Sequence, residues 1–234
     1  WSMFSHGTSI AEAKTGYGLR TATELRILKA LLELNREGPL EIIPTFLGAH
    51  AVPAEYKDKP NAYVDLLCRQ MLPDLKDLWQ KKYSGKPLPF VDVFCEKGAF
   101  DLAQSRCILE RAASLGFPLK MHADEFENLG GASLAAELGA VSVDHLVRTS
   151  KADIQALADS DTIAVSLPCT PFGLAEADYS PALDMIQAGC LYSALSSGIM
   201  RGYGAYEYTG FVSEVLAIVR SGSPAGGASM PMAG

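Results

Sequence analysis

Short apolar runs alternate with longer stretches of helical pattern along most of this chain of 234 residues. Seven of these runs are predicted to be strands, and they lie at residues 8–14, 41–47, 90–95, 119–123, 141–146, 162–167 and 190–195. Amphipathic patterns bounded by capping residues and glycines separate them and predict helices. The first long helix is predicted to begin with a capping box formed by Thr21 and Glu24. Such alternation predicts a parallel sheet, and because the runs are almost continuously apolar, we expect helices to cover both faces.

Three histidines bear on the choice between the two architectures that fit this alternation, a doubly wound sheet and a (β/α)8 barrel. His50, His122 and His145 each lie at or just beyond the carboxyl end of a different predicted strand. Barrel enzymes build their active sites at that end, so the sequence favours an α/β fold of the (β/α)8 TIM type. A complete barrel takes about 250 residues. With seven predicted strands, we expect one barrel strand to be missing.

The composition changes after residue 195. Residues 196–234 are rich in Gly, Ser, Tyr and Met, and within them residues 211–220 carry a helical pattern. The final stretch has too little bulky apolar content to pack against a core, which predicts disorder. We therefore divide the chain into a partial barrel domain, residues 1–195, and a divergent, partly disordered tail, residues 196–234.

Charge and composition exclude several classes of protein. The formal net charge is −7, whereas a phosphate-binding surface needs a basic face, so we expect no nucleic-acid partner. No apolar run reaches the roughly 18 residues of a membrane span, and the first residues lack the basic and apolar segments of a signal peptide. The five cysteines are scattered without a Cys-x-x-Cys pair, which favours free thiols over a zinc ribbon or a disulfide framework. These features predict a cytoplasmic protein.

The segment around His122 has the residue types of a metal-dependent hydrolytic site. An imidazole nitrogen at a strand end can ligate a metal ion, and Glu125, three residues later, can move a proton at the same centre. A buried, hydrogen-bonded histidine beside a surface carboxylate gives the same pattern, so that alternative stays open. His145 ends the next predicted strand, and adjacent barrel strands bring both rings to one mouth. A core histidine satisfied by backbone groups is the other interpretation of His145.

Two further residues are candidates for contacts with a substrate. The glycines on either side of Tyr17 are predicted to bend the chain so that its hydroxyl faces the barrel mouth, although a packed tyrosine fits as well. His50 lies in a loop between a glycine and a proline, where it is either a ligand contact or a solvated residue. Glu96 and Lys97 follow another predicted strand as a charged pair, which is either a structural ion pair or a support for the site.

Taken in order, several segments resemble the imidazolonepropionase family. These segments are residues 12–19, 44–53, 92–98, 122–126, 144–146 and 167–172. The resemblance runs from about residue 7 to about residue 195, with the order of the segments preserved. Each segment alone is a weak signal, but the combination is specific to this family of metal-dependent amidohydrolases.

The resemblance implies a distorted (β/α)8 barrel with a small flanking β-domain. It also implies hydrolysis of 4-imidazolone-5-propanoate to N-formimidoyl-L-glutamate, in histidine degradation, with one zinc or iron ion. On this basis His122 ligates the metal, Glu125 contacts the ring and moves its proton, and His145 assists the attacking water or the developing oxyanion. Tyr17 and His50 would hold the small-molecule substrate, with Tyr17 toward the propanoate. A homodimer is compatible with the resemblance, and neither nucleic acid nor a membrane is implied as a partner.

The chain departs from the family pattern in two places. The family's first barrel strand carries a His-x-His pair, which this chain does not contain, and its last strand carries an aspartate where Gly198 stands here. We therefore expect a partial barrel that lacks the first strand, has a degenerate last strand and two unpaired sheet edges, and keeps only His122 of the family's metal ligands. Stable zinc sites use three or four ligands. Two alternatives follow: another amidohydrolase such as a nucleobase deaminase, and a catalytically inactive fragment.

Overall fold

The computed structural model describes residues 2–5, 7–199 and 211–219 of the chain. Its strands are Ile10–Lys14 (β1), Glu41–Ala49 (β2), Phe90–Cys95 (β3), Leu119–Ala123 (β4), Ser142–His145 (β5), Ile163–Ser166 (β6), Tyr192–Ile199 (β7) and Phe211–Val219 (β8). Its α-helices are Ser2–Ser5 (α1), Thr21–Glu37 (α2), Pro60–Leu66 (α3), Leu72–Lys82 (α4), Leu102–Ser114 (α5), Gly131–Glu137 (α6), Lys151–Ala158 (α7), Cys169–Gly173 (α8) and Ala182–Ala188 (α9). A 3₁₀ turn at Ala54–Tyr56 precedes α3, and a π-helical turn at Leu67–Met71 joins α3 to α4.

The strands close into a barrel in the order in which they occur along the chain. Strands β1 to β7 pair as parallel neighbours. The register places Phe94 of β3 beside His122 of β4, and Ala123 of β4 beside His145 of β5. The seven predicted strands are all present and differ from the prediction only at their ends, which confirms the α/β barrel.

The eighth strand departs from a regular (β/α)8 arrangement, because β8 runs antiparallel to both of its neighbours. It pairs with β7 from Tyr192 to Ile199 and with β1 at Glu12 and Ala13. The prediction of a helix over residues 211–220 is therefore wrong, and so is the prediction of two unpaired sheet edges. The segment is rich in valine, which favours strands, and the edges of β1 and β7 offer backbone groups that a strand can satisfy.

The predicted division of the chain at residue 195 stays a prediction. Strand β7 continues to Ile199, and β8 lies within the segment assigned to the tail. The predicted disorder concerns the final stretch, residues 221–234, which lies outside the described residues. Among the helices that are described, none is long and apolar enough to cross a membrane.

The apolar core lies between the strands and the helices around them. Helix α5 has Asp101 as its N-cap, whose carboxylate accepts the N–H of Gln104 while the Gln104 side chain accepts the N–H of Asp101. Helix α6 packs closely on the sheet because it begins with Gly131. A Cβ there would lie 2.6 Å from the Cβ of Ala123 and 3.2 Å from the Sγ of Cys95. The lack of a side chain at Gly131 therefore lets α6 pack closely against the ends of β3 and β4.

Helix α2 does not begin with the predicted capping box. Its N-cap is Arg20, which makes no side-chain capping bond, and Thr21 is the first helical residue. The carboxylate of Glu24 is buried and turns toward the preceding loop, where it accepts three backbone N–H groups. The N–H groups of the loop therefore bind this carboxylate in place of the backbone N–H of the capping residue.

Candidate active site

The carboxyl ends of the strands surround a cavity of about 280 Å³. It is lined by Lys14, Leu47, His50, Phe94, His122, Glu125, Phe126, His145, Leu167, Cys169, Thr170, Gly173 and Leu174. Four of the five predicted site residues are among them. The fifth, Tyr17, lies at the rim beside His50, with 5.1 Å between the ring centroids. The fold therefore brings all five predicted residues to one mouth of the barrel.

His122 is held by a buried carboxylate on the neighbouring strand. Its Nδ1 lies 3.0 Å from Asp92 of β3, which is fully buried. Burial lowers the pKa of His122, but the charge of Asp92, its hydrogen bond to the ring and the charge of Asp144 together hold that pKa above its usual value. A carboxylate on one ring nitrogen fixes the orientation of a ligating histidine and leaves the other nitrogen for an ion.

Glu125 and His145 lie side by side in the cavity. The Nδ1 of His145 is 3.4 Å from Oε1 of Glu125, although the geometry does not make a hydrogen bond. Burial raises the pKa of Glu125 to about 7. Burial and the nearby His122 lower the pKa of His145 to about 3. Near neutral pH the carboxyl group can therefore take up or release a proton, and the imidazole of His145 is uncharged.

The backbone at the ends of β4 and β5 adopts uncommon conformations. Asp124 has a φ of 56° and His145 a φ of 80°. Residues other than glycine seldom occupy this left-handed region, and those that do concentrate at functional sites. The backbone N–H of Arg148 donates to the carbonyl of Asp124 at 2.7 Å, which ties the two turns together. Both turns thus present their side chains, Glu125 and His145, to the same cavity.

His50 is bonded to the loop that carries Tyr17. Its Nδ1 lies 3.0 Å from the carbonyl oxygen of Gly16, and its ring lies 6.1 Å from that of Phe94. Burial lowers the pKa of His50, so the ring is neutral near pH 7. When Nδ1 donates to the carbonyl, Nε2 is left as an acceptor. Tyr17 and His50 together form one side of the rim.

A network of buried charges lies inside the barrel next to the cavity. The Nζ of Lys14 is 2.8 Å from Glu12, 2.9 Å from Asp92 and 3.3 Å from Asp144. The Nζ of Lys120 is 2.7 Å from Glu12 and 3.9 Å from Asp144. Burial raises the pKa of the carboxyl groups, but the ammonium groups outweigh it and bring the pKa of Glu12 and of Asp144 to about 2. Glu12 and Asp144 are therefore ionised at neutral pH.

Sequence reasoning missed this network, although the sequence contains a signal for it. Glu12 and Lys14 are two residues apart on one strand and therefore point to the same face. Asp92, Lys120 and Asp144 are charged residues inside buried strands. A charge inside a buried strand is costly unless another charge compensates it. These buried charges predict a shared polar interior, but they do not show which strand supplies the partner of each charge.

Asp92, His122 and Asp144 could together hold a metal ion, because their ligand atoms lie within 4.8 Å of one another. The chemistry of the donors fits, since catalytic zinc and iron sites combine imidazole and carboxylate ligands and leave a position open. The sequence had suggested His122 alone, so the two aspartates are additional candidates. The ammonium of Lys14 already contacts both carboxylates, so an ion bound by all three side chains competes with Lys14.

The charged pair expected at Glu96 and Lys97 is not a side-chain ion pair. Glu96 is buried, and its Oε1 accepts the backbone N–H of Lys97 at 2.9 Å. The ammonium of Lys97 is exposed and lies 2.6 Å from Oε1 of Glu127. The Glu96 side chain reaches backbone N–H donors within the fold and stays buried, whereas the longer Lys97 side chain extends into solvent.

Comparison with known proteins places these observations in a family. No family model matches the chain. The chain is 54% identical over 186 residues to the imidazolonepropionase of Herpetosiphon aurantiacus, and 49% identical over 189 residues to that of Chloroflexus aggregans. Each match covers 80% of this chain but 44% of the relative. The chain therefore spans a little under half the length of these curated relatives.

A triazine hydrolase variant is a solved structure with a similar fold. The TM-score is 0.51 at 13% identity, and the match covers 73% of this chain and 40% of that one. At such low identity the likeness concerns the fold alone, and it agrees with an α/β barrel. The sequence matches are far stronger. Identity of 49% to 54% across 80% of its length shows that this chain belongs to the imidazolonepropionase family, of whose members it matches part.

Proposed function

We propose that the barrel mouth forms all or part of an active site that hydrolyses the ring C–N amide bond of 4-imidazolone-5-propanoate. The product is N-formimidoyl-L-glutamate. The observation that carries the proposal is the convergence of His122, Glu125 and His145 on one cavity, in a chain of this family. Because the chain matches 44% of the relative's length, the activity of the whole relative is part of the proposal and not a premise.

The candidate metal ligands define what a cofactor would contribute. A zinc or iron ion held by His122 with Asp92 and Asp144 would act as a Lewis acid on the ring carbonyl and on water. Asp92 either shares the ion with His122 and Asp144 or, where the ion lies on Nε2, orients the His122 ring through its contact with Nδ1. The ammonium of Lys14 compensates the negative charge of the two aspartate carboxylates, which are buried inside the barrel away from water.

Glu125 carries the proton in this proposal. Its carboxylate takes a proton from water as the new C–O bond forms at the ring carbonyl carbon. The same carboxyl group then gives that proton to the ring nitrogen as the C–N bond breaks. One water molecule is added overall, and Glu125 returns to its starting state. A pKa of about 7 supports transfer in both directions near neutral pH.

The other three residues bind and orient the substrate. His145, neutral because its pKa is about 3, can donate a hydrogen bond to the oxyanion that develops at the carbonyl. His50 and Tyr17 lie together at the rim. In this proposal the Tyr17 hydroxyl donates to the propanoate, and this hydrogen bond holds the ring over Glu125.

Turnover of 4-imidazolone-5-propanoate by the chain, with zinc or iron added, tests the proposal. Mass spectrometry of the product should show N-formimidoyl-L-glutamate. We expect Glu125→Gln to lower kcat by about 100-fold or more, because the proton carrier is removed. Glu127→Gln, an exposed glutamate two residues away, should keep the parent's rate.

Two other outcomes would replace the proposal. Release of ammonia from cytosine or guanine, without imidazolone hydrolysis, would indicate a nucleobase deaminase. Binding of the imidazolone without any product, with or without added metal, would indicate an inactive fragment. One observation favours this last alternative, because the Lys14 ammonium lies between the two carboxylates that a metal would need.

A further inference from the structure

Two buried glutamates, Glu24 and Glu96, take no part in the proposed chemistry, yet each contacts a loop that carries a proposed site residue. Glu24 lies in the first turn of α2 and is fully buried. Its Oε2 accepts the N–H of Gly16 at 2.8 Å, and its Oε1 accepts the N–H groups of Gly18 and Leu19 at 2.7 Å each. The loop therefore wraps around one carboxylate, with Tyr17 at its centre.

The shape of this loop depends on the carboxylate and on small residues. Gly16 has a φ of 111°, and a Cβ there would lie 2.7 Å from the carbonyl oxygen of Leu47. A Cβ at Gly18 would lie 2.6 Å from the Cγ2 of Thr23. The N–H groups of the loop thus converge on one point, which is the arrangement that binds an anion. Glu24 supplies that anion from the N-terminal turn of a helix, where a negative charge is favourable.

Glu96 makes the same kind of contact at the other side of the cavity. It follows β3 and is 2% exposed. Its Oε2 accepts the N–H of Phe126 at 2.9 Å, and its Oε1 accepts the N–H groups of Glu127 at 3.1 Å and Lys97 at 2.9 Å. The first two donors come directly after Glu125, so Glu96 holds the backbone on the far side of that residue.

Both contacts require a carboxylate and not merely a polar side chain of the same size. Each glutamate accepts three N–H groups through two oxygens. A glutamine offers one acceptor oxygen and would turn its NH2 donors toward the remaining N–H groups. A buried donor left without an acceptor is costly, so the loop would shift to reach water.

We infer that Glu24 and Glu96 are positioning residues that hold Tyr17 and Glu125, respectively, at the barrel mouth. The role of each loop in substrate binding or proton transfer rests on the proposed function. The holding of each loop by its glutamate does not, because it follows from the hydrogen bonds alone. The two glutamates act on separate loops, so their effects are separable.

Hydrogen exchange of the whole chain, without substrate, tests the inference. Glu24→Gln should speed exchange at residues 16–19 by about tenfold or more and leave residues 124–128 unchanged, whereas Glu96→Gln should give the reverse pattern. Glu110→Gln, an exposed glutamate on α5, is the matched control and should change neither loop. Faster exchange throughout the barrel, or no change at the predicted loop, would overturn the inference.

Steady-state kinetics on 4-imidazolone-5-propanoate then separates the two roles. Glu24→Gln should raise KM about tenfold with kcat nearly unchanged, because Tyr17 binds substrate. Glu96→Gln should lower kcat about tenfold with KM nearly unchanged, because Glu125 moves the proton. Equal loss in both parameters for both variants would overturn the assignment of separate roles. If the parent chain shows no turnover while the crossed exchange pattern is found, the proposed function fails and the positioning of the loops stands.

Discussion

At the level of single residues, burial gives Glu125 a pKa of about 7 in place of its usual 4.5. Below about pH 4.5 the group is protonated in both the folded and the unfolded chain, so the shift has no effect on stability. As the pH rises from 4.5 to 7, the unfolded chain releases its proton first. The folded state is therefore progressively destabilised, and the loss is complete above pH 7.

We expect Glu125→Gln to be more stable than the parent at pH 8, by up to about 3 kcal/mol, and equally stable at pH 4. The amide removes the buried negative charge without changing the size of the side chain. Urea unfolding at both pH values measures the difference. The exposed Glu127→Gln variant should show no such dependence on pH, and an equal stability of Glu125→Gln and parent at pH 8 would contradict the burial of a charged carboxylate here.

The positions of site residues could be read from the sequence, but their partners could not. His50, His122 and His145 lie at or just beyond the carboxyl ends of their strands, and in a barrel that place alone predicts a common mouth. Lys14 and Asp92, by contrast, are 78 residues apart and meet only through the closure of the barrel. Local patterns show that a buried charge needs compensation, but they do not identify the group that supplies it.

At the level of helices and strands, apolar runs predicted the seven parallel strands well. Parallel strands are covered on both faces, so each appears in the sequence as a nearly continuous apolar run. The helix predicted over residues 211–220 failed for a related reason. Its valines fit a helical face and a strand equally, and β8 pairs with β1 and β7. Periodicity in a short apolar segment does not contain that tertiary information.

The contact between α6 and the sheet gives a prediction at this scale. Gly131→Ala places a methyl group 2.6 Å from the Cβ of Ala123, at the end of the strand that carries His122. We expect a loss of about 1 to 3 kcal/mol from overpacking. Gly85→Ala is the matched control, because a Cβ there meets nothing within 4 Å. Thermal unfolding compares the two, and equal melting temperatures would show that α6 does not pack as closely as described.

At the level of the whole molecule, seven parallel strands and one antiparallel strand enclose a charged interior beneath a cavity. By the resemblance, Gly198 in β7 stands where the family is expected to carry an aspartate ligand, and a glycine offers no side-chain ligand. Among the described residues, the group formed by Asp92, His122 and Asp144 could hold a metal ion, and His122 supplies its imidazole ligand. His122 is therefore the residue on which the proposed metal site depends most.

Anomalous diffraction from crystals of the chain grown with zinc tests this dependence directly. We expect a zinc peak bonded to His122 in the cavity that Glu125 and His145 line, and we expect that peak to be lost in His122→Ala. Zinc that is absent from His122, or bound only elsewhere on the chain, would contradict the claim that the barrel mouth is a metal-dependent hydrolytic site.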